Sequence, residues 1–406
     1  MRGCKASGRS LQWLLLVILS LGHLLTDLVG GALPVLLPVL REEFALSYTS
    51  LGAIVLVSNL SASVVQPLFG IWSDRRSIRW LLPVGCIVSA LGMAMAGVAP
   101  TYLLILVGIA LSGIGTAAYH PEASKQAFLI GGEKKATALS IYSVGGNVGF
   151  GLGPLFATFL LDLSGRKGMV GLLIPALIIA LLANWSLPSL RRLADQRASI
   201  PEKTSNQGLK SELTRGVVFS LFLLVMIVIL RSFIHIGLTN FIPLYVVDHL
   251  HGDSHFAALL VSVFLLSGAV GTIFGGPIAD RFGRKKVIML SFLLIIPSLW
   301  LFLLHSSGIW SLLLAAWSGF ILISTFAVTI VYAQEMLPHH VGLASGLILG
   351  FAFGVGALGG LAFGAAADAW GIPAVLKVVC LLPIPAFLLA LALPDQEPRS
   401  KGGALS

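Results

Sequence analysis

Runs of about 20 residues with almost no charge recur along the whole chain, and such runs have few ways to fold. In hydrocarbon every backbone N–H and C=O must find its partner inside the protein, so only helices and closed barrels can span it. The runs are apolar on all sides rather than short and alternating, which selects helices over barrel strands. Composition agrees: 57% of the 406 residues are hydrophobic, 11% are charged and the mean hydropathy is +0.96. A water-soluble chain carries about a quarter charged residues.

Twelve candidate spans lie near 11–40, 49–73, 80–99, 101–121, 136–162, 168–188, 216–247, 255–279, 287–305, 309–334, 341–367 and 371–394, numbered 1 to 12 here. The one long polar stretch, 189–215, reads as a cytoplasmic linker between a six-helix bundle over 1–188 and a second over 216–406. The N-terminus has the basic residues and apolar core of a secretory signal. The apolar pattern continues too far for one, so it reads as a retained first helix.

The net charge of +9 does not call for nucleic acid. Of 26 Lys and Arg, 21 fall in the two tails, the linker and the loops after spans 2, 4 and 8. That bias predicts both termini in the cytoplasm of a multi-pass inner-membrane protein. Three cysteines, Cys4, Cys86 and Cys380, suit neither a disulfide framework nor a metal site. No Gly-x-x-x-x-Gly-Lys-Ser/Thr segment is present, so ATP is not the direct source of drive.

The two halves repeat. Gly70-x-x-x-Asp74-Arg75 after span 2 returns as Gly276-x-x-x-Asp280-Arg281 after span 8, at an offset of 206. Tyr119-His120-Pro121-Glu122 at the end of span 4 matches Tyr332-Ala333-Gln334-Glu335 in span 10. Gly149-x-Gly151 matches Gly354-x-Gly356, and His23 with Asp27 matches Arg231 with His235. Such parallel repeats of six helices are the plan of one known transporter fold.

The complete second loop, Gly276-x-x-x-Asp280-Arg281-x-Gly283-Arg284-Lys285, resembles the loop motif of the major facilitator superfamily. The first copy lacks the glycine, having Ser77 and Ile78 after Arg76. Within that superfamily the chain resembles the fosmidomycin resistance group of drug exporters along essentially its whole length. The residues that carry this are Gly22-His23-x-x-x-Asp27, His120-Pro121-Glu122, Val144-Gly145-Gly146-Asn147-x-Gly149-x-x-x-Gly153-Pro154, Arg231-Ser232, and Phe241-Ile242-Pro243-Leu244-Tyr245. The resemblance implies an all-α major facilitator fold and proton-driven efflux of small molecules, fosmidomycin among them. The span 5 segment with Gly149, Gly153 and Pro154 is similar to the antiporter motif and implies export.

Asp27 and His23, four apart, share one helix face. A carboxylate in mid-span costs roughly 2.5–3.5 kcal/mol on insertion scales, so it marks a candidate site for proton coupling. A hydrogen-bonded pair that only fixes helix packing is the alternative. His120 and Glu122 beside Pro121 read either as a second proton-coupling step or as helix capping. Arg231, with His235, reads as an anchor for an anionic substrate such as a phosphonate, or as an ion-pair partner of Asp27. Asn147 and Tyr119 complete the expected substrate contacts. Gly70, Asp74, Arg75, Gly276, Asp280, Arg281 and Arg284 read as gate residues whose charges pair across helices. Asp162, Asp368 and Lys377 read as structural, and Asp248, His249, His251, Asp253 and His255 as a hydrated loop rather than a metal site.

The expected activity is therefore proton-coupled antiport of a small polar or anionic solute by alternating access. Proton symport on the same fold is the alternative, and a membrane receptor or a membrane enzyme comes behind both. No nucleophile–base pair or metal set marks an enzyme. The expected partners are the solute, protons and lipid, with no cofactor, nucleic acid or obligate protein partner.

Overall fold

A computed structural model describes residues 2–75, 78–131, 135–197, 214–305, 307–337, 344, 347–348 and 353–394; side chains of 2–11, 74–75, 135–137, 194–197 and 353 are outside the described set. No strand occurs among the described residues. Ten stretches of them are long and apolar enough to cross a bilayer, one of which, Ala138–Leu193, runs through both span 5 and span 6. The chain is an all-α, multi-pass membrane protein.

Span 1 is two helices, Arg2–Gly31 and Leu33–Phe44. They part where Gly30 and Gly31 precede Pro34, which has no N–H to give to the turn behind it. Span 2 is Tyr48–Ser63 and Gln66–Arg75, span 3 is Leu81–Val98 and span 4 is Tyr102–Gly131. Span 5 is Lys135–Ser164, and a 3₁₀ stretch, Gly165–Leu172, leads into span 6, Leu173–Arg197. That last helix runs past residue 189, where the linker was expected to begin. Leu190 is buried while Arg191 and Arg192 are exposed, so an amphipathic turn extends the span. The rest of the expected linker, 198–213, is outside the described residues.

Span 7 is Arg215–Leu244 with a π-helical turn, Tyr245–His249. Spans 8, 9 and 10 are Ser254–Phe282, Arg284–Leu304 and Gly308–Met336. The described parts of span 11 include Phe353–Gly356 and Leu358–Trp370, and span 12 is Ile372–Leu381 with Pro383–Leu391. Span 1 packs on spans 5 and 4, and span 3 on span 4; in the second half span 8 packs on span 10 and span 9 on spans 10 and 12. Spans 2 and 11, 5 and 8, and 1 and 7 join the halves.

The glycines set the closest of these contacts. Gly145, Gly149 and Gly153, four apart, face the carbonyls of Ser20, Leu24 and Leu28, also four apart. Two matched rows of this kind let backbone rest on backbone. Gly151, on another face of span 5, meets Leu266 of span 8. One glycine stretch thus binds span 5 to its own half and lays it on the other.

At the face away from the linker the halves are tied by polar contacts. Asp368 of span 11 accepts from Tyr48 N at 2.8 Å, Thr49 N at 2.7 Å and Thr49 Oγ1 at 2.5 Å, capping span 2 from the opposite half. Asp248 is half-buried, not in open water as the sequence suggested: it accepts from the Tyr48 hydroxyl at 3.2 Å and lies 3.4 Å from Arg41 Nη1. His255 faces Asp162 of span 5 at 3.5 Å.

Gly149→Ala would press a methyl on the Leu24 backbone, which cannot step aside. We expect a loss of about 1–3 kcal/mol, read as a lower melting temperature in detergent. Gly216→Ala, with nothing within 4 Å, should melt no lower than the unaltered protein.

Candidate functional site

Between the halves lies a cavity of about 490 Å³. His23, Asp27 and Asn147 line it from spans 1 and 5, and Arg231, His235 and Phe326 from spans 7 and 10. A second cavity of about 340 Å³ lies beside it, lined by Asp27, Asn59, Gln66, His120 and Asn240 among others. Asp27, Phe150, Ser232 and His235 belong to both. The Phe150 ring and the His235 imidazole stack at 6.4 Å between them.

Asp27 is bound by two imidazoles. His23 Nε2 lies 3.3 Å from Oδ2, and His120 Nε2 lies 3.1 Å from Oδ1. Both oxygens of the carboxylate are therefore engaged inside the first half. His23 is held from its other nitrogen, where Nδ1 lies 2.9 Å from the Tyr142 carbonyl oxygen, and its ring stacks on the Tyr142 ring at 4.1 Å. The buried Thr26 hydroxyl points to the Gly22 and His23 carbonyls, both at 3.1 Å, and lies 3.4 Å from His120 Nε2.

A carbonyl oxygen only accepts, so the contact with Tyr142 is a hydrogen bond when His23 Nδ1 carries the hydrogen. A proton on Nε2 as well would make the contact with Oδ2 a charge-assisted one, so the pair has a place for an added proton.

Arg231 is buried in span 7. Its Nη1 donates to Thr329 Oγ1 at 3.4 Å, and its guanidinium lies over the Phe326 ring at 5.1 Å, both on span 10. Those contacts orient a cation toward the cavity that also holds Asp27. His235 stands one turn on, against Phe150 and Phe264.

Other expected residues lie elsewhere. Tyr119 is not at the cavity: it is fully buried, and its hydroxyl donates to the Leu19 carbonyl at 2.7 Å, pinning span 4 to span 1. Glu122 is also buried, bonded to the Ser73 hydroxyl and accepting from Gln126 Nε2 at 2.7 Å, so it ties span 4 to span 2. In the second loop motif Arg281 lies over Phe282 rather than pairing with Asp280. Arg284 makes the pairs instead, 3.2 Å from Asp280 and 2.9 Å from Glu335, linking spans 8, 9 and 10 on the linker side. Gly283 has φ +94°, which explains the motif glycine, and Gly276 has open space around it. Gly70 packs near Pro121; the side chains of Asp74 and Arg75, like all of Ser77, are outside the described residues. Pro154 accepts from Thr158 Oγ1 through its carbonyl at 2.8 Å.

The sequence reading did not single out Thr26, Tyr142, Phe150, Phe326 or Thr329. The only available signal was position: Tyr142 and Phe150 stand one helical turn either side of Gly146, which packs on the site.

The family model of the Major Facilitator Superfamily matches residues 19–253 and 229–405. An uncharacterized MFS-type transporter of Bacillus subtilis, YfnC, is 36% identical over 95% of this chain and 94% of its own. The fosmidomycin resistance protein of Escherichia coli is 34% identical over 93% of this chain and 92% of its own. Among solved structures, a bacterial homolog of the human lysosomal transporter Spinster, in an inward-facing and occupied conformation, superposes with a TM-score of 0.72 at 15% identity. It covers 93% of this chain and 96% of its own. The nucleoside transporter NupG superposes with a TM-score of 0.68 at 18% identity, over 93% of this chain and 99% of its own.

A Cβ at Gly146 would collide with His23 Nε2 and lie 2.6 Å from Asp27 Oδ2. These are side-chain ends, which can move. Gly146→Ala should melt close to the unaltered protein yet lose most of its transport, measured on the same reconstituted preparation. A large fall in melting temperature with transport per folded molecule intact would contradict this placement.

Proposed function

Because the chain belongs to the major facilitator superfamily of transporters, we propose that it exports a small polar or anionic solute in exchange for protons. The observation that carries this reading is the position of Asp27. Its carboxylate lines two cavities, lies 3.3 Å from His23 Nε2, and shares the larger of the two with Arg231. A proton taken up there, and an anion held by Arg231, occupy one space from opposite halves.

Exchange requires that proton and solute occupy the site in alternate half-cycles. Asp27 and Arg231 line one cavity from opposite halves, so a solute that fills it closes Asp27 to the water that delivers protons, and its release opens Asp27 again. Rocking of the halves then carries the solute outward and the proton inward in separate steps. Each proton moving inward supplies about 2.3 kcal/mol per 100 mV of membrane potential. The fosmidomycin resistance relative makes fosmidomycin the first cargo to try, and the span 5 glycine segment supports export.

Everted membrane vesicles with an imposed pH gradient test the reading. Acidifying the lumen should drive uptake of radiolabelled fosmidomycin, and a proton ionophore should stop it. Uptake that follows the gradient in the other direction would make the protein a symporter. Asp27→Asn should abolish gradient-driven exchange while the protein still inserts, and full coupling in that variant would remove Asp27 from the mechanism. Arg231→Ala removes a charged hydrogen-bond donor of about 1.5–3 kcal/mol. It should raise the half-saturating concentration of an anionic cargo roughly 10- to 100-fold and leave a neutral cargo little changed.

A further inference from the structure

We propose that His23, Asp27 and His120 form a binding site for a divalent transition-metal ion of the zinc and cobalt class. The inference concerns the same cluster as the coupling proton but does not depend on transport or its direction.

The donors are His23 Nε2, an Asp27 carboxylate oxygen and His120 Nε2, and all lie within 4.8 Å of one another. Zinc takes imidazole nitrogen at about 2.0–2.1 Å and carboxylate oxygen at about 2.0–2.2 Å in a tetrahedron. Neighbouring donors in such a tetrahedron stand about 3.3–3.5 Å apart. His23 Nε2 lies 3.3 Å from Asp27 Oδ2 and His120 Nε2 lies 3.1 Å from Asp27 Oδ1, both close to that length. The contacts run to the two different oxygens, so an ion between the rings would take the carboxylate through both oxygens or draw one imidazole round to a shared one; the rings face each other edge-on at 4.8 Å between centroids.

The surroundings are those of a ligand site. The Tyr142 carbonyl holds His23 Nδ1 at 2.9 Å, so Nε2 presents its lone pair inward. Metal-bound histidines are oriented by the same kind of bond from their other nitrogen. Two imidazoles and one carboxylate select the zinc–cobalt–nickel–copper group over magnesium or calcium, which prefer all-oxygen sites. Asp27 opens on both cavities, leaving room for a fourth donor from water or from an anion. The metal would take the place of a proton between His23 and Asp27, so the two would exclude each other.

The test uses tag-free full-length protein in detergent, stripped with a chelator and titrated with Co²⁺ alone. The expected result is one saturable Co²⁺ site with visible absorption of a low-symmetry ion, displaced by Zn²⁺. His23→Gln should remove it, and the distal variant His251→Ala/His255→Ala should keep it. His120→Cys should keep the metal and add a thiolate-to-cobalt charge-transfer band, which a variant that was merely misfolded would not acquire. Absence of saturable binding, loss of binding with the distal histidines, or no new band in His120→Cys would each overturn the proposal. No gradient enters the measurement, so failure of the exchange reading and failure of this one are told apart.

Discussion

The placement of one negative charge governs the first half of this protein. A carboxylate taken out of water must be compensated by charge or hydrogen bonds, or it is lost to protonation. Asp27 is compensated by an imidazole from its own helix and one from span 4, and the first of these is steered by a carbonyl of span 5. Three helices are thereby fixed in rotation about their axes at the depth of the cavity. The glycine row lets span 5 lie on span 1, and the adjoining Gly146 leaves room for the pair, since a Cβ there would meet His23 Nε2 and Asp27 Oδ2.

The two halves repeat in sequence, yet at matched positions they present opposite charge. His23 and Asp27 in span 1 correspond to Arg231 and His235 in span 7, and all four line the one cavity. A container built from a duplicated bundle gains an asymmetric interior through such substitutions. The cationic side is supported differently from the anionic one: Arg231 rests on Thr329 and Phe326 of its own half, whereas Asp27 is wrapped by imidazoles. The cavity therefore has a fixed cation on one wall and, on the other, a group whose charge depends on what it has bound. In the exchange proposed above, the first wall would hold the solute and the second would take the proton.

Ties between the halves are also uneven. On the face away from the linker, Asp368 caps span 2 and Asp248 meets Arg41 and Tyr48, each contact crossing between halves. On the linker side the ion pairs of Arg284 stay within the second half. A helix cap supplied by another bundle is a directional contact: it is made at one relative position of the halves and lost at others.

The sequence alone determined that the chain spans a bilayer many times, that it is built of two related halves, and that ionisable residues stand in mid-span. Hydropathy and periodicity act over a few consecutive residues, and those properties are written at that scale. It did not determine which ionisable groups meet. His120 lies 93 positions after Asp27 and was read as a separate proton-coupling step or a helix cap, Tyr119 was expected at the cavity, and Asp248 in a hydrated loop. Helices that are apolar on every side carry no stripe to declare which face turns inward. Their rotation is settled by packing between distant segments, here glycine rows against carbonyls, and only the tertiary structure resolves that.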